Sequence, residues 1–120
     1  MANILIVDDS RTSRRILRGI LEGDGHIVVA EAVDGQDGYD KYVEFKPDLV
    51  TMDITMPVLS GVESLKKIKT DYPDAKVIMV SAAGQQHKML EAVQNGAAEF
   101  IAKPFDVDEI KRIINNILGA

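Results

Sequence analysis

The chain alternates five times between a short apolar run and a longer stretch whose apolar residues recur at helical spacing. No other feature constrains the fold as strongly. The runs Ile4-Leu5-Ile6-Val7, Leu49-Val50-Thr51-Met52 and Val77-Ile78-Met79-Val80 are almost continuously apolar, as expected of strands covered on both faces. Strand followed by helix, repeated, builds a parallel sheet. The pattern predicts strands near 3–7, 27–30, 49–52, 76–80 and 98–102, and helices near 11–22, 35–45, 61–70, 85–95 and 107–118. Ile16, Leu17, Ile20 and Leu21 form one helical stripe, and Val107, Ile110, Ile113, Ile114 and Ile117 another. Breakers fall between elements, at Asp24-Gly25, Lys46-Pro47, Pro57 with Gly61, Tyr72-Pro73 and Asn95-Gly96. Gly19 and Gly38 lie inside expected helices, where each costs about 1 kcal/mol relative to Ala, and close helix-to-sheet packing is the expected reason. The result is an α/β fold: a five-stranded parallel sheet with helices on both faces, doubly wound, as one domain over residues 1–120.

Polar groups close the apolar runs. Asp8 and Asp9 follow the first strand, Asp53 the third, Ser81 the fourth and Lys103 the fifth. In an open parallel sheet the carboxyl ends of the strands converge on one ligand-binding edge, so these distant residues are expected to share a cleft. Three carboxylates at close range repel, by about 4 kcal/mol for a pair at roughly 4 Å and an effective dielectric near 20. A hard divalent cation with oxygen ligands removes that cost, and Mg2+ suits a site of few carboxylates that keeps waters for a phosphate. With the ordinary aspartate pKa, Asp53 is already ionised at neutral pH and can attack phosphorus without a base, giving an acyl phosphate. Phosphoryl transfer rests mainly on alignment and charge neutralisation, to which Lys103 and the Ser81 hydroxyl can contribute. A divalent cation would bring three carboxylates and one lysine to neutrality; without it an incoming phosphate would be repelled.

Composition removes other classes. There is no cysteine, so a disulfide framework, a thiolate metal site and a cysteine nucleophile are impossible, and a reducing, cytoplasmic setting is expected. The apolar runs reach about five residues, far below the roughly 18 needed to span a bilayer, so no membrane association is expected. A net charge of -5 argues against nucleic acid as a partner. The basic cluster Arg11, Arg14, Arg15 and Arg18 is expected to be mainly a solvated helix face, with docking of an acidic partner as the alternative. His26 and His87 match no site position and are expected at the surface.

The segments "ILIVDDS", "DLVTMDITMP", "MVSAAGQQ", "NGAAEF" and "IAKPF", in that order and covering nearly the whole chain, resemble the receiver domain of two-component response regulators. The resemblance implies a flavodoxin-like fold in which Asp53 is the phosphoacceptor, Asp9 and Asp53 ligate Mg2+ directly and Asp8 acts mainly through water. It further implies that the Thr55 main-chain carbonyl completes the metal site, that Lys103-Pro104 is a cis bond, and that Ser81 and Phe100 are the switch pair. Phe100 carries no hydroxyl, so any signal through it is steric. Neither Thr55 nor Ala83 is acidic or an amide, so no water-orienting group is assigned. "TMDITMP", "SAAGQQ" and "FIAKPF" are most similar to the stand-alone chemotaxis members. That implies a monomer phosphorylated by a sensor histidine kinase, with intrinsic Mg2+-dependent self-phosphorylation and self-dephosphorylation but no classical enzyme activity. Its target would be a flagellar motor switch component, reached through a face on the fourth helix, fifth strand and fifth helix that includes Lys88, Glu91, Phe100 and Lys111. A receiver used as a phosphotransfer intermediate or phosphate sink fits nearly as well. Two other readings stand further off. An FMN carrier of the same fold would want amides and hydroxyls where Asp8 and Asp9 stand, and a haloacid-dehalogenase-type phosphatase would want a second Asp where Thr55 stands.

Overall fold

The computed structural model describes residues 1–119. Strands β1 (Asn3–Val7), β2 (Ile27–Ala32), β3 (Leu49–Asp53), β4 (Val77–Ser81) and β5 (Glu99–Ala102) alternate with helices α1 (Arg11–Gly23), α2 (Gly35–Phe45), α3 (Gly61–Asp71), α4 (Gln86–Gln94) and α5 (Val107–Ile117). All neighbouring strands are parallel, in the order β2-β1-β3-β4-β5. The order reverses direction beside β1, the switch point at which such sheets bind ligands. Every residue of β3 and β4 is buried, which explains why their sequences do not alternate.

Two cores sandwich the sheet. On one face Leu17 and Leu21 of α1 and Ile110, Ile113 and Ile114 of α5 pack on Ile4, Ile6, Leu49, Ile78 and Ile101. On the other, Tyr42 of α2, Leu65 and Ile68 of α3 and Ala92 of α4 pack on Leu5, Val7, Val50, Met52, Val77 and Met79. The stripes read from α1 and α5 are thus the faces that bury, and at about 25 cal/mol per Å2 such burial is the main source of stability. Four helices start at side chains suited to capping: Ser10, Asp34, Ser60 and Asp106 each accept a hydrogen bond from the backbone N–H three residues on. Helix α4 differs, because Gln85 at its N-cap makes no such bond.

Several expectations are corrected. Strand β2 runs to Ala32 rather than residue 30, because Ala32 is fully buried and pairs with Val7. His26 is buried: its Nδ1 accepts the Ala2 N–H at 3.1 Å, and its Nε2 lies 3.6 Å from Asp24. It anchors the start of β1, whereas His87 is exposed. Gly38 does press on the sheet, since a Cβ there would lie 2.9 Å from Val7 Cγ1, but a Cβ on Gly19 would meet nothing within 4 Å. Close packing therefore explains only Gly38. We expect Gly19→Ala to stabilise the protein by about 0.5–1 kcal/mol through helix propensity. Gly38→Ala is expected to destabilise it by roughly 1 kcal/mol, because the clash with stiff Val7 exceeds that gain. Urea denaturation of both variants checks the opposite signs.

Candidate metal and phosphoryl site

The four strand ends deliver their polar groups to one cleft. Asp8, Asp9 and Asp53 offer carboxylate oxygens that all lie within 4.8 Å of one another. Lys103 Nζ reaches between them, 3.0 Å from Asp8 Oδ2 and 3.7 Å from Asp53 Oδ1. Asp8 and Asp53 are buried and Asp9 is exposed, so the cluster opens to solvent on the Asp9 side. Ser81 ends β4, buried, one residue beyond the Val80 that pairs with Asp53, and it pairs with Ala102, which precedes Lys103. The Lys103–Pro104 peptide is cis.

Backbone contacts fix Asp8 and the end of β3. The Asp8 N–H donates to Ala32 O at 3.0 Å, and the Ser10 N–H donates to Asp8 Oδ1 at 2.8 Å. Below Asp53, the first residue of α3 is pressed against its carbonyl. The Gly61 N–H donates to Ile54 O at 2.8 Å, and a Cβ on Gly61 would lie 1.8 Å from Asp53 O. Only glycine lets the helix begin this close to the strand end.

The sequence gives no hint that the Asp53 carboxyl is abnormal, yet burial, with the Asp8 carboxylate adding to it, pushes its pKa up to about 6 against the opposing pull of Lys103. The ordinary value expected from sequence is therefore corrected, although Asp53 is still mostly ionised at neutral pH. One lysine for three carboxylates, an all-oxygen donor set and a carboxyl held protonated longer than usual together fit a hard divalent cation.

The arginines are not a uniformly solvated face. Arg14 Nε meets Glu31 at 2.9 Å and its Nη1 donates to Asp8 O at 2.8 Å. Arg18 contacts Glu31 at 2.7 Å and Glu22 at 3.2 Å. Although burial pushes the Glu31 carboxyl up, the hydrogen bonds from Arg18 and Arg14 hold it below the usual range. Arg14 thus braces the backbone of Asp8 from behind, a role invisible from sequence because Glu31 lies on another strand. Arg11 and Arg15 are exposed as expected.

The residues expected on the output face divide. Phe100 is half-buried against the core under α2, α3 and α4, and Lys88 Nζ reaches Thr55 Oγ1 at 3.3 Å. Glu91 pairs with Lys66 of α3 at 3.3 Å. Lys111 instead lines a groove of about 350 Å3 with Ile16, Gly19, Ile20, Gly23 and Val107, between α1 and α5, because the buried stripe of α5 turns Lys111 toward α1. Thr55 is exposed two residues past Asp53, and its hydroxyl also accepts from Gln85 Nε2 at 2.9 Å. Local sequence pattern assigns Gln85 no role. The one available signal is its position, three residues after the first residue beyond β4, which is the spacing at which a glutamine reaches back to a backbone N–H.

Comparison with known proteins places this geometry. Residues 4–115 match the model of the response regulator receiver domain. The chain is 49% identical over 116 residues to the chemotaxis protein CheY of Bacillus subtilis, covering 97% of each. It is 44% identical over 119 residues to the B. subtilis protein CcdB, covering 99% of each. The crystal structure of the CheX-CheY-BeF3-Mg+2 complex from Borrelia burgdorferi contains a chain that superposes with a TM-score of 0.93 at 33% identity, over 98% of this chain and 90% of that one. Acidic strand ends, an inward lysine and the β2-β1-β3-β4-β5 order thus coincide with a family match over nearly the whole sequence, and the chain belongs to the response regulator receiver domains.

Proposed function

We propose that the chain is a stand-alone, Mg2+-dependent phosphoacceptor switch that operates in chemotaxis. The observation that carries this reading is Lys103 Nζ set between Asp8 and Asp53 inside the three-carboxylate cluster. An Asp53 oxygen attacks phosphorus of the donor. The new P–O bond to Asp53 forms as the bond from phosphorus to the donor's phosphohistidine nitrogen, or to the acetyl oxygen of acetyl phosphate, breaks; the electron pair leaves on that atom. Lys103 and the Ser81 hydroxyl meet the phosphoryl oxygens. Asp8, Asp9, Asp53 and the Thr55 carbonyl would hold Mg2+, which when bound supplies charge neutralisation for the carboxylates and the phosphoryl group. Hydrolysis of the acyl phosphate returns the carboxylate and inorganic phosphate, so the signal is transient.

Movement of Ser81 toward the phosphoryl group and repacking of Phe100 then change affinity for a partner. The phosphodonor is a sensor histidine kinase, and the target is a flagellar motor switch component met through α4 and β5. The working state is a cytoplasmic monomer with no nucleic-acid or membrane partner. Chemotaxis is favoured by the CheY relatives; the equally extensive likeness to a protein of another name keeps a phosphotransfer intermediate as the second reading. Capture of a flagellar switch component only after phosphorylation supports the first, and phosphoryl passage to another histidine protein supports the second.

Lys103→Arg provides a further test. It keeps the charge but replaces a compact ammonium with a planar fork. We expect Mg2+ affinity, read by titration, to change by less than about threefold, while phosphorylation-dependent partner binding falls by about tenfold or more. Unchanged partner binding would remove Lys103 from the switch.

A further inference from the structure

Gln85 joins the two loops that flank Asp53. Its Oε1 accepts the Ala82 N–H at 2.7 Å, and its Nε2 donates to Thr55 Oγ1 at 2.9 Å. Ala82 is the first residue after β4 and Thr55 the second after β3, and these strands are neighbours with Asp53 opposite Val80. The carboxamide therefore bridges the loop after β4 to the loop after β3. The reach back to Ala82 alone is half of a capping box, but the second bond crosses to the other loop, and Lys88 Nζ converges on the same hydroxyl at 3.3 Å. Gln85 is also the residue at which α4 begins, and it leaves that helix uncapped. The other helices all start at a residue that caps its own helix.

We infer that Gln85 is a latch on phosphoryl transfer, a positioning residue that must release the Ala82 amide before that amide can face the charge developing beyond the strand ends. The inference rests on the phosphoacceptor reading of Asp53. A backbone N–H at such a position is worth most when preorganised and free to meet an oxyanion. In the unphosphorylated protein it is already satisfied by a neutral carboxamide. Phosphoryl oxygens are charged acceptors and form bonds about twice as strong, so the phosphorylated state displaces Gln85. Its side chain then leaves Thr55 as well, freeing the loop between β4 and α4 and the first turn of α4. The same residue thus sets a barrier to phosphorylation and reports phosphorylation to the helix.

Two substitutions test the latch in opposite directions. Gln85→Ala removes both bonds and is expected to raise the rate of labelling by acetyl phosphate in Mg2+ about fivefold, the factor one net hydrogen bond represents. Gln85→Glu keeps an oxygen for the Ala82 N–H, now charged, and is expected to slow labelling by a similar factor. Hydrogen exchange at the Ala82 amide, followed by NMR without Mg2+ or phosphodonor, should be several-fold faster in Gln85→Ala. A helix-stabilising role alone would lower the unfolding midpoint without accelerating labelling. Labelling of Gln85→Ala at or below the wild-type rate, with wild type itself labelled, would overturn the latch and leave the phosphoacceptor intact. Unchanged Ala82 exchange would overturn it too. Wild type that takes no phosphoryl group under any condition would remove the phosphoacceptor reading and the latch with it.

Discussion

Gly61→Ala is expected to destabilise the protein by at least about 3 kcal/mol and to slow phosphorylation by more than tenfold. A Cβ on Gly61 would stand 1.8 Å from Asp53 O, 2.8 Å from Asp53 C and 2.9 Å from the Ile54 Cα. All three are backbone atoms, so no rotamer change relieves the clash, and the cost lies at or beyond the upper end of the usual 1–3 kcal/mol for overpacking. Either α3 moves away from β3, exposing Leu65 and Ile68, or the end of β3 moves and carries Asp53 with it. The helix is packed against buried sheet residues, so the two losses are linked. Denaturant unfolding and acetyl phosphate labelling of the same variant check the pair of effects. Full labelling with full stability would show that this close approach is not needed.

Asp53→Asn is expected to act in the opposite sense on stability. Without metal, burial and the Asp8 carboxylate raise the Asp53 pKa to about 6, above its value in the unfolded chain. The folded protein therefore binds more protons than the unfolded one between about pH 4 and pH 6, and the Asp53 contribution falls as pH rises through that window. Above about pH 6 the buried charge costs on the order of 2 kcal/mol, solvent on the Asp9 side screening part of it. Asparagine has the same shape and cannot ionise, while Lys103 retains Asp8 at 3.0 Å. Metal-free Asp53→Asn should thus be more stable than wild type by about 2 kcal/mol at pH 7, with the advantage vanishing near pH 4. Saturating Mg2+ should narrow the difference, because it binds the folded wild type more tightly. Thermal unfolding at the two pH values, with and without Mg2+, measures all of this. Equal stability at pH 7 without metal would show that Asp53 is not strained by its neighbours.

The strand ends were the legible part of the molecule. Continuous apolar runs located β1, β3 and β4, and the rule that such runs share one functional edge was enough to bring Asp8, Asp9, Asp53 and Lys103 together without knowledge of a single contact. Helical stripes likewise identified the buried faces of α1 and α5. What escaped depends on partners far away in sequence. The Arg14–Glu31 contact ties α1 to β2, and the same arginine holds Asp8 O; neither is encoded in local spacing. His26 looked like a surface residue until its Nδ1 met Ala2. The raised pKa of Asp53 comes from burial and from Asp8 at the end of another strand, and the double contact of Gln85 arises only where the loops after β3 and β4 meet. Gly19 and Gly38 make the same point: each is a glycine within a helix, but only the second faces the sheet.

Asp53 is expected to accept a phosphoryl group in a metal-dependent step. The most direct measurement is intact-mass spectrometry of wild type and Asp53→Asn after incubation with acetyl phosphate, with and without Mg2+. Borohydride trapping and peptide mapping then locate the acyl phosphate. One added phosphoryl group is expected on wild type only with Mg2+, none on Asp53→Asn, and trapping at Asp53. Equal labelling of the mutant, or a trapped group at any other residue, would contradict it.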